Sequence, residues 1–568
     1  MLATLPSDPK TILTWTWADF KPFFQELQGV TLSSGSVNEW LEDWARLADV
    51  ARELYARLSV AVSVDTSDQD AEERYKSFFD DLYPNLMEAE QRLKLKLLES
   101  GLEPDGFEIP LRNMRAEADL FRVENLPVLA EENKLKNEYD KIVGAQTVMW
   151  EGEERTVGQM RPVFQDSDRA RREQAWRLVA ERQLADRDAI NQVWRKLLGL
   201  RRRIAEQAGR PDYRAYRWQE MLRFDYTPAD ARSFQKAIEE VVVPAAVRIY
   251  ERRRKRLGLD RLRPWDLDID PTGLPPLRPF SDVETLKAGA SRIFERVDPA
   301  LAGYFNTMVT ENLLDLANRK NKAPGAYCTE FPMIGRPFIF ANAVGLHDDV
   351  QTALHESGHA FHVFETAPLS SHFRNVPMEF AEVASMGMEL LASPYLTREE
   401  GGFYTAAEAA RARIEHLEGN ILFWPYMAVV DSFQHWVYEN PESADDPAQC
   451  DEAWANLWRR FMAGVDWSGL EDIMATGWHR KLHIHTAPFY YIEYGLAQLG
   501  AVQVWANALR DQAGAVKNYR RALALGGNAA LPELFETAGA RFAFDAGVLR
   551  QAVGLLEKTI QELETTLV

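Results

Sequence analysis

The stretch TALHESGHAFHVF, residues 352–364, sets His355, His359 and His362 around Glu356 within eight residues. The longer run LHDDVQTALHESGHAFHVF (346–364) is predicted to be a helix. Asp348 or Asp349 can cap it, because a short carboxylate accepts from the free N–H groups of a first turn. In a helix, His355 and His359 stand one turn apart and project from one face, with Glu356 beside that face. H-E-x-x-H is the spacing of two zinc ligands and a carboxylate that can take a proton from water. The competing reading is a chance match at three positions. Gly358 inside the helix costs about 1 kcal/mol relative to Ala, which is tolerable where another backbone passes close by. His362 lies near the same face and serves either as a packing residue or as a support for the ligands.

A catalytic zinc takes three protein ligands and keeps one open position. The next helix expected, NVPMEFAEVASMGMELLAS (375–393), carries Glu379, Glu382 and Glu389 among apolar residues. Glu382 follows His359 by 23 residues, room for a loop and a returning helix, and is taken as the third ligand. Glu379 and Glu389 are either acceptors that orient the imidazoles or plain surface acids. The histidine distribution favours one shared site. None of the ten histidines precedes residue 347, five fall between 347 and 372, and three between 479 and 485.

That last group lies in HRKLHIHTAPFYYIEYGLAQLG (479–500), with Tyr490, Tyr491 and Tyr494. His483 and the phenols are suited to stabilise an oxyanion; an aromatic core stripe would look the same. Tyr491 and Tyr494, at i and i+3, are ranked above Tyr490 because they share a face.

Bulk composition limits the alternatives. The chain has 568 residues, 46% hydrophobic, with a net charge of −20. That is enough for a large core and more than one lobe. The acidic field repels nucleic acid and anionic membranes, so neither is an expected partner. The basic runs RRR (201–203) and ERRRKR (251–256) read as solvated helix faces. Two distant cysteines, Cys328 and Cys450, exclude a disulfide framework and suit a reducing, cytoplasmic location. No secretory leader or membrane span is expected.

Most of the chain reads as helix, with apolar residues at three- and four-residue steps in 38–62, 186–208 and 291–297. DLDIDPTGLPPLRPFSD (266–282) reads as a long connection. Strand is expected at 147–157 and 325–344, giving one small sheet beside the histidine helix.

Taken in order, GAYCT (325–329), HESGHAFH (355–362), FAEVASM (380–386), HIHTAPFYYIEY (483–494) and LPELFETAGARFAF (531–544) resemble the oligoendopeptidase F branch of the thimet oligopeptidase-like zinc peptidases. Weaker likeness at 121–154, 223–231 and 257–268 extends the resemblance over roughly residues 110–568. It implies a mainly α, two-lobed metallopeptidase with a deep substrate channel, divided here into an N-terminal helical lobe (1–200) and a catalytic lobe (201–568). It implies one Zn2+ per chain on His355, His359 and Glu382, Glu356 as general base, and His483 with tyrosines 490–494 facing the substrate carbonyl. It also implies substrate contacts at Gly325, Ala326, Tyr327 and His485, through a sheet edge that pairs with short peptides. Two rivals stay open. A carboxypeptidase or dipeptidyl carboxypeptidase would need a cation such as Arg480 or Lys481 for the substrate's terminal carboxylate. A non-catalytic peptide-binding helical protein would not need Glu356.

Overall fold

The apolar steps of 38–62, 186–208 and 291–297 become the helices Val37–Val64, Arg187–Gln207 and Val283–Val297. Residues 267–282 form the irregular connection expected from their proline and glycine content. The computed structural model describes Leu2 and residues 4–567; 70% of the chain is helix and 5% strand, so it is mainly α. No helix among the described residues is long and apolar enough to cross a membrane.

Two apolar cores organise the helices. The first gathers buried side chains from residues 2 to 114, among them Trp40, Trp44, Phe107 and Leu111. The second, much larger, gathers buried side chains from residues 56 to 560. The helix Val37–Val64 supplies both: Leu47, Leu54 and Leu58 to the first, Ala56 to the second, with Val60 and Val64 packed against the latter.

The sheet content differs from expectation. Strands β1 (Thr147–Trp150) and β2 (Glu153–Thr156) form an isolated antiparallel hairpin. A second sheet holds β3 (Leu314–Ala317), β4 (Tyr327–Phe331) and β5 (Arg336–Ala343) in the order β3-β5-β4. There are therefore two small sheets, and β3 was not anticipated. Its four residues LDLA carry no run of β-branched residues; pairing parallel to β5 makes it a strand. Central β5 buries Phe338, Ile339, Phe340 and Ala341. β4 lies antiparallel to β5 at the edge, and Gly335, at φ 58°, closes the turn between them. The hairpin is pinned to the N-terminal helices: the Met333 N–H donates to Glu53 Oε2 at 3.0 Å, and the Arg57 guanidinium sits 4.3 Å over Phe331.

The basic run at 201–203 is not simply a solvated face. Arg201 is wholly buried; it donates to Glu132 Oε1 at 2.9 Å and to the carbonyl oxygens of Ile484 and His485. A guanidinium with five donors can satisfy such a set inside a core, where sequence alone predicts exposure.

Candidate metal centre

The histidine helix runs from His347 to Thr366. Asp349 rather than Asp348 fixes its start. It reaches backwards, accepting from the N–H groups of Leu346 and Val344 at 2.8 Å each, so it ties the preceding chain and not the first turn. The acid helix, Met378–Ala392, packs against it, and the tyrosine helix, Tyr491–Ala508, packs against the acid helix. Gly358 permits that approach. A Cβ there would lie 2.4 Å from the carbonyl oxygen of Ala384 and 2.6 Å from Cα of Ser385. The helical penalty of glycine is thus offset by bringing the ligand-bearing helices into backbone contact.

Three of the expected side chains converge. Nε2 of His355 lies 3.6 Å, and Nε2 of His359 3.5 Å, from Oε2 of Glu382. One donor atom from each residue falls within 4.8 Å of the others. Ligands about 2.0–2.1 Å from a tetrahedral ion stand about 3.3–3.4 Å apart, so this set fits zinc with little adjustment. Glu382 is buried and held on both oxygens: Ser385 Oγ donates to Oε2 at 2.9 Å and Tyr490 OH to Oε1 at 3.2 Å.

Glu389 sits behind the cluster. Its Oε1 meets Nδ1 of His355 at 2.6 Å and its Oε2 meets Nε2 of His416 at 2.7 Å. Burial opposes ionisation of this carboxyl, but the two imidazoles bring it down to about 2. Burial likewise opposes protonation of His355, yet Glu389 outweighs it and holds the imidazole at about 9. Such a carboxylate fixes the ring orientation and strengthens Nε2 as a donor. His416 was missed in the sequence. It lies 27 residues from Glu389, on the helix Ala406–Glu439, outside both histidine groups.

Glu356 is 7% exposed, and its carboxylate has no hydrogen-bond partner among the described residues. Burial raises its pKa, against the pull of His359 and His355. It lies within electrostatic reach of Cys328 on β4 and Tyr494.

Other expectations need correction. Glu379 does not reach the imidazoles: it accepts from Tyr226 OH at 2.7 Å and lies 3.6 Å from Nε of Arg223, which also holds Glu493 at 2.7 Å. His362 is buried, edge-on to Phe380, and desolvation lowers its pKa to about 3. It packs the core. His485, expected to touch substrate, is 0% exposed, stacked 4.1 Å from Tyr139 and parallel to Trp478. One residue pair away, His483 stays half-exposed, with ring centres 5.7, 5.0 and 5.9 Å from Tyr490, Tyr491 and Tyr494. Burial, then Lys481, lowers its pKa to about 4, so it is neutral at pH 7. Of the three phenols, Tyr490 makes the hydrogen bond to Glu382, while the Tyr491 ring lies 3.9 Å under Lys481. The ranking of Tyr491 over Tyr490 rested on helical phase, but Tyr490 precedes the helix and Phe489, at φ 64°, redirects it. Gly325 and Ala326 are exposed before edge strand β4; Tyr327 stacks on Phe340 at 5.0 Å.

No curated protein matches the sequence, but solved structures do. A structure provisionally described as oligoendopeptidase F superposes with TM-score 0.88 at 28% identity, covering 97% of this chain and 98% of that one. Pz peptidase A with an inhibitor gives 0.88 at 28% identity over 97% of both chains. An oligoendopeptidase F, also a provisional description, from Bacillus anthracis gives 0.84 at 25% identity over 97% of both. The sequence pattern of peptidase family M3 matches residues 163–553, well over half the chain, and that stretch contains every residue of the metal cluster. The chain therefore belongs to peptidase family M3 and is a metalloendopeptidase.

Proposed function

We propose that the protein is a zinc oligoendopeptidase, with one zinc per chain on His355, His359 and Glu382, cutting internal bonds of short unfolded peptides. The observation that carries this reading is Glu356. It is a buried carboxylate without a hydrogen-bond partner, beside three donor atoms spaced as zinc ligands. When bound, zinc would polarise the scissile carbonyl and acidify a water. Glu356 would take the proton of that water and return it to the leaving nitrogen; its raised pKa brings it closer to the value suited to both transfers. Neutral His483 and the hydroxyl of Tyr494 would donate to the developing oxyanion, while Tyr490 would hold Glu382. The edge of β4, preceded by Gly325 and Ala326, would pair with the peptide backbone, giving affinity that tolerates varied sequences. The helices before residue 200 would narrow access, so that folded proteins are excluded. Two free cysteines fit a cytoplasmic enzyme.

The test combines metal analysis with mass spectrometry of products. Purified protein should hold one zinc per chain and cut N-acetylated, C-amidated peptides internally, with loss of cleavage on chelation and recovery with zinc. Glu356→Gln should keep the zinc and lose roughly 10²–10⁴-fold in kcat. Chelator-resistant cleavage, or near-normal turnover by Glu356→Gln, would sink the assignment.

A further inference from the structure

A cavity of about 320 Å³ lies between the helix Glu108–Leu120, the loop before Pro228 and the start of the acid helix. Its walls include Arg112 and Asn113 from the helix Glu108–Leu120, Arg223 and Phe224 from the loop before Pro228, and Glu379 and Tyr490. Tyr490, which lines the cavity, is bonded to Glu382, so one residue separates the cavity from the metal cluster. Its size falls within the ~300–1,000 Å³ common for ligand sites.

Five carboxylates and three guanidiniums line this wall, and one of the guanidiniums, Arg112, stands outside its ion pairs. Glu117 takes Lys94 at 2.5 Å and Glu220 takes Arg217 at 2.6 Å. Glu493 and Glu379 share Arg223, and Asp225 accepts from the Leu531 N–H at 3.0 Å. Arg112 has no carboxylate within ion-pair distance among the described residues. Its Nε meets only Asn113 Oδ1 at 3.5 Å, and its guanidinium lies 4.2 Å over the exposed ring of Phe224. A guanidinium over a ring face still has N–H groups to offer, and a guanidinium can bind a carboxylate through two of them. Deeper in, Arg223 is almost wholly buried and its Nε and Nη1 lack hydrogen-bond partners. It leaves unmet donors in the same wall, while its charge is shared by Glu379 and Glu493. Leu222, at φ 55°, makes the turn that brings both Arg223 and Phe224 to the cavity. Such backbone strain persists where the surroundings hold it.

We propose that this cavity binds a carboxylate of the substrate peptide in the fork of Arg112, either the α-carboxylate of its C-terminus or an Asp or Glu side chain. The proposal rests on the peptidase reading and extends it: a carboxylate anchored at a fixed place beside the metal sets which bond lies against Glu356. The two cations considered in the sequence do not line this cavity. Arg480 is half-buried and donates to the Ile473 carbonyl, and Lys481 packs on the rings of Tyr491 and Tyr426.

The test uses one N-acetylated peptide in four forms, with a free or amidated C-terminus and with an internal Glu or Gln. Binding is measured by calorimetry in the Glu356→Gln background, and cleavage separately with active enzyme. One carboxylate form should bind roughly tenfold or more tighter than its neutral counterpart, and Arg112→Gln should bring that ratio close to one. Arg112→Lys, which keeps charge but loses the fork, should fall between. The ratio within each variant is its own control for folding. A preference for the free C-terminus or for internal Glu identifies the source of the carboxylate, and either supports the proposal. An equal ratio in wild type and Arg112→Gln overturns it. Arg112-dependent binding without cleavage would leave the pocket standing and remove the peptidase reading.

Discussion

The hydroxyl of Tyr490 lies 3.2 Å from Oε1 of Glu382, while the other oxygen of that carboxylate faces Nε2 of both His355 and His359. A phenol on one oxygen leaves Oε2 as the one aimed at the cation position. Tyr490→Phe keeps the ring and frees Glu382 to rotate. Zinc affinity should fall about 10–100-fold. Tyr494, which senses Glu356 and Glu382 without a hydrogen bond to either, should behave differently: Tyr494→Phe should hold zinc normally and lose roughly 10²-fold in kcat. Competition with a fluorescent chelator, beside kinetics at saturating zinc, separates the two, and identical behaviour of the variants would contradict the geometry.

Through Glu389, His416 bears on His355. Removing His416 lets that carboxylate turn away from Nδ1. His416→Ala should weaken zinc binding by about 10–100-fold, with activity recovered in excess zinc. His416→Gln, which can still donate to Oε2 of Glu389, should recover part of the loss. Equal zinc affinity in wild type and His416→Ala would show that Glu389 is held by other groups.

Gly358 offers a test of sign. Judged by helix propensity alone, Gly358→Ala should stabilise by about 1 kcal/mol. The added methyl would meet the Ala384 carbonyl at 2.4 Å, so the two ligand-bearing helices must part. Overpacking of this kind costs about 1–3 kcal/mol. The variant should melt lower than wild type and bind zinc more weakly; a higher melting temperature would refute the close approach.

A buried acid outside the metal cluster gives a pH signature. Asp431 is 0% exposed; burial raises it to about 6, although Gln235 donates to it at 2.6 Å. A folded pKa above the unfolded 3.8 means that this group's stability contribution is full below about pH 4 and is lost as pH rises through 6. The loss is of order 3 kcal/mol by pH 8. Asp431→Asn keeps an acceptor for Gln235 and carries no charge. It should melt higher than wild type at pH 8 and show no such advantage at pH 4. A difference that does not change with pH would rule out an ionised Asp431 as its cause.

The sequence by itself determined the parts of this protein that depend on neighbours along the chain. His355, Glu356 and His359 share a helix, so the 3.6-residue period places them with no knowledge of the rest. The acids of 375–393 could be put on a returning helix, and Glu382 chosen, because a metal needs a third donor and the connection is short. Only the tertiary structure decided which polar groups serve that set. Glu389 and His416 meet across 27 residues, and Tyr490 meets Glu382 across 108. Glu379, on the same helix as Glu382, belongs instead to Arg223 and Tyr226. Arg201 sits in the core though its run reads as surface, and His485 is sealed among rings two residues from half-exposed His483. Each of these depends on how helices meet in rotation and register. Side chains far apart in sequence fix that by filling shared space and by pairing most of the polar groups they bury.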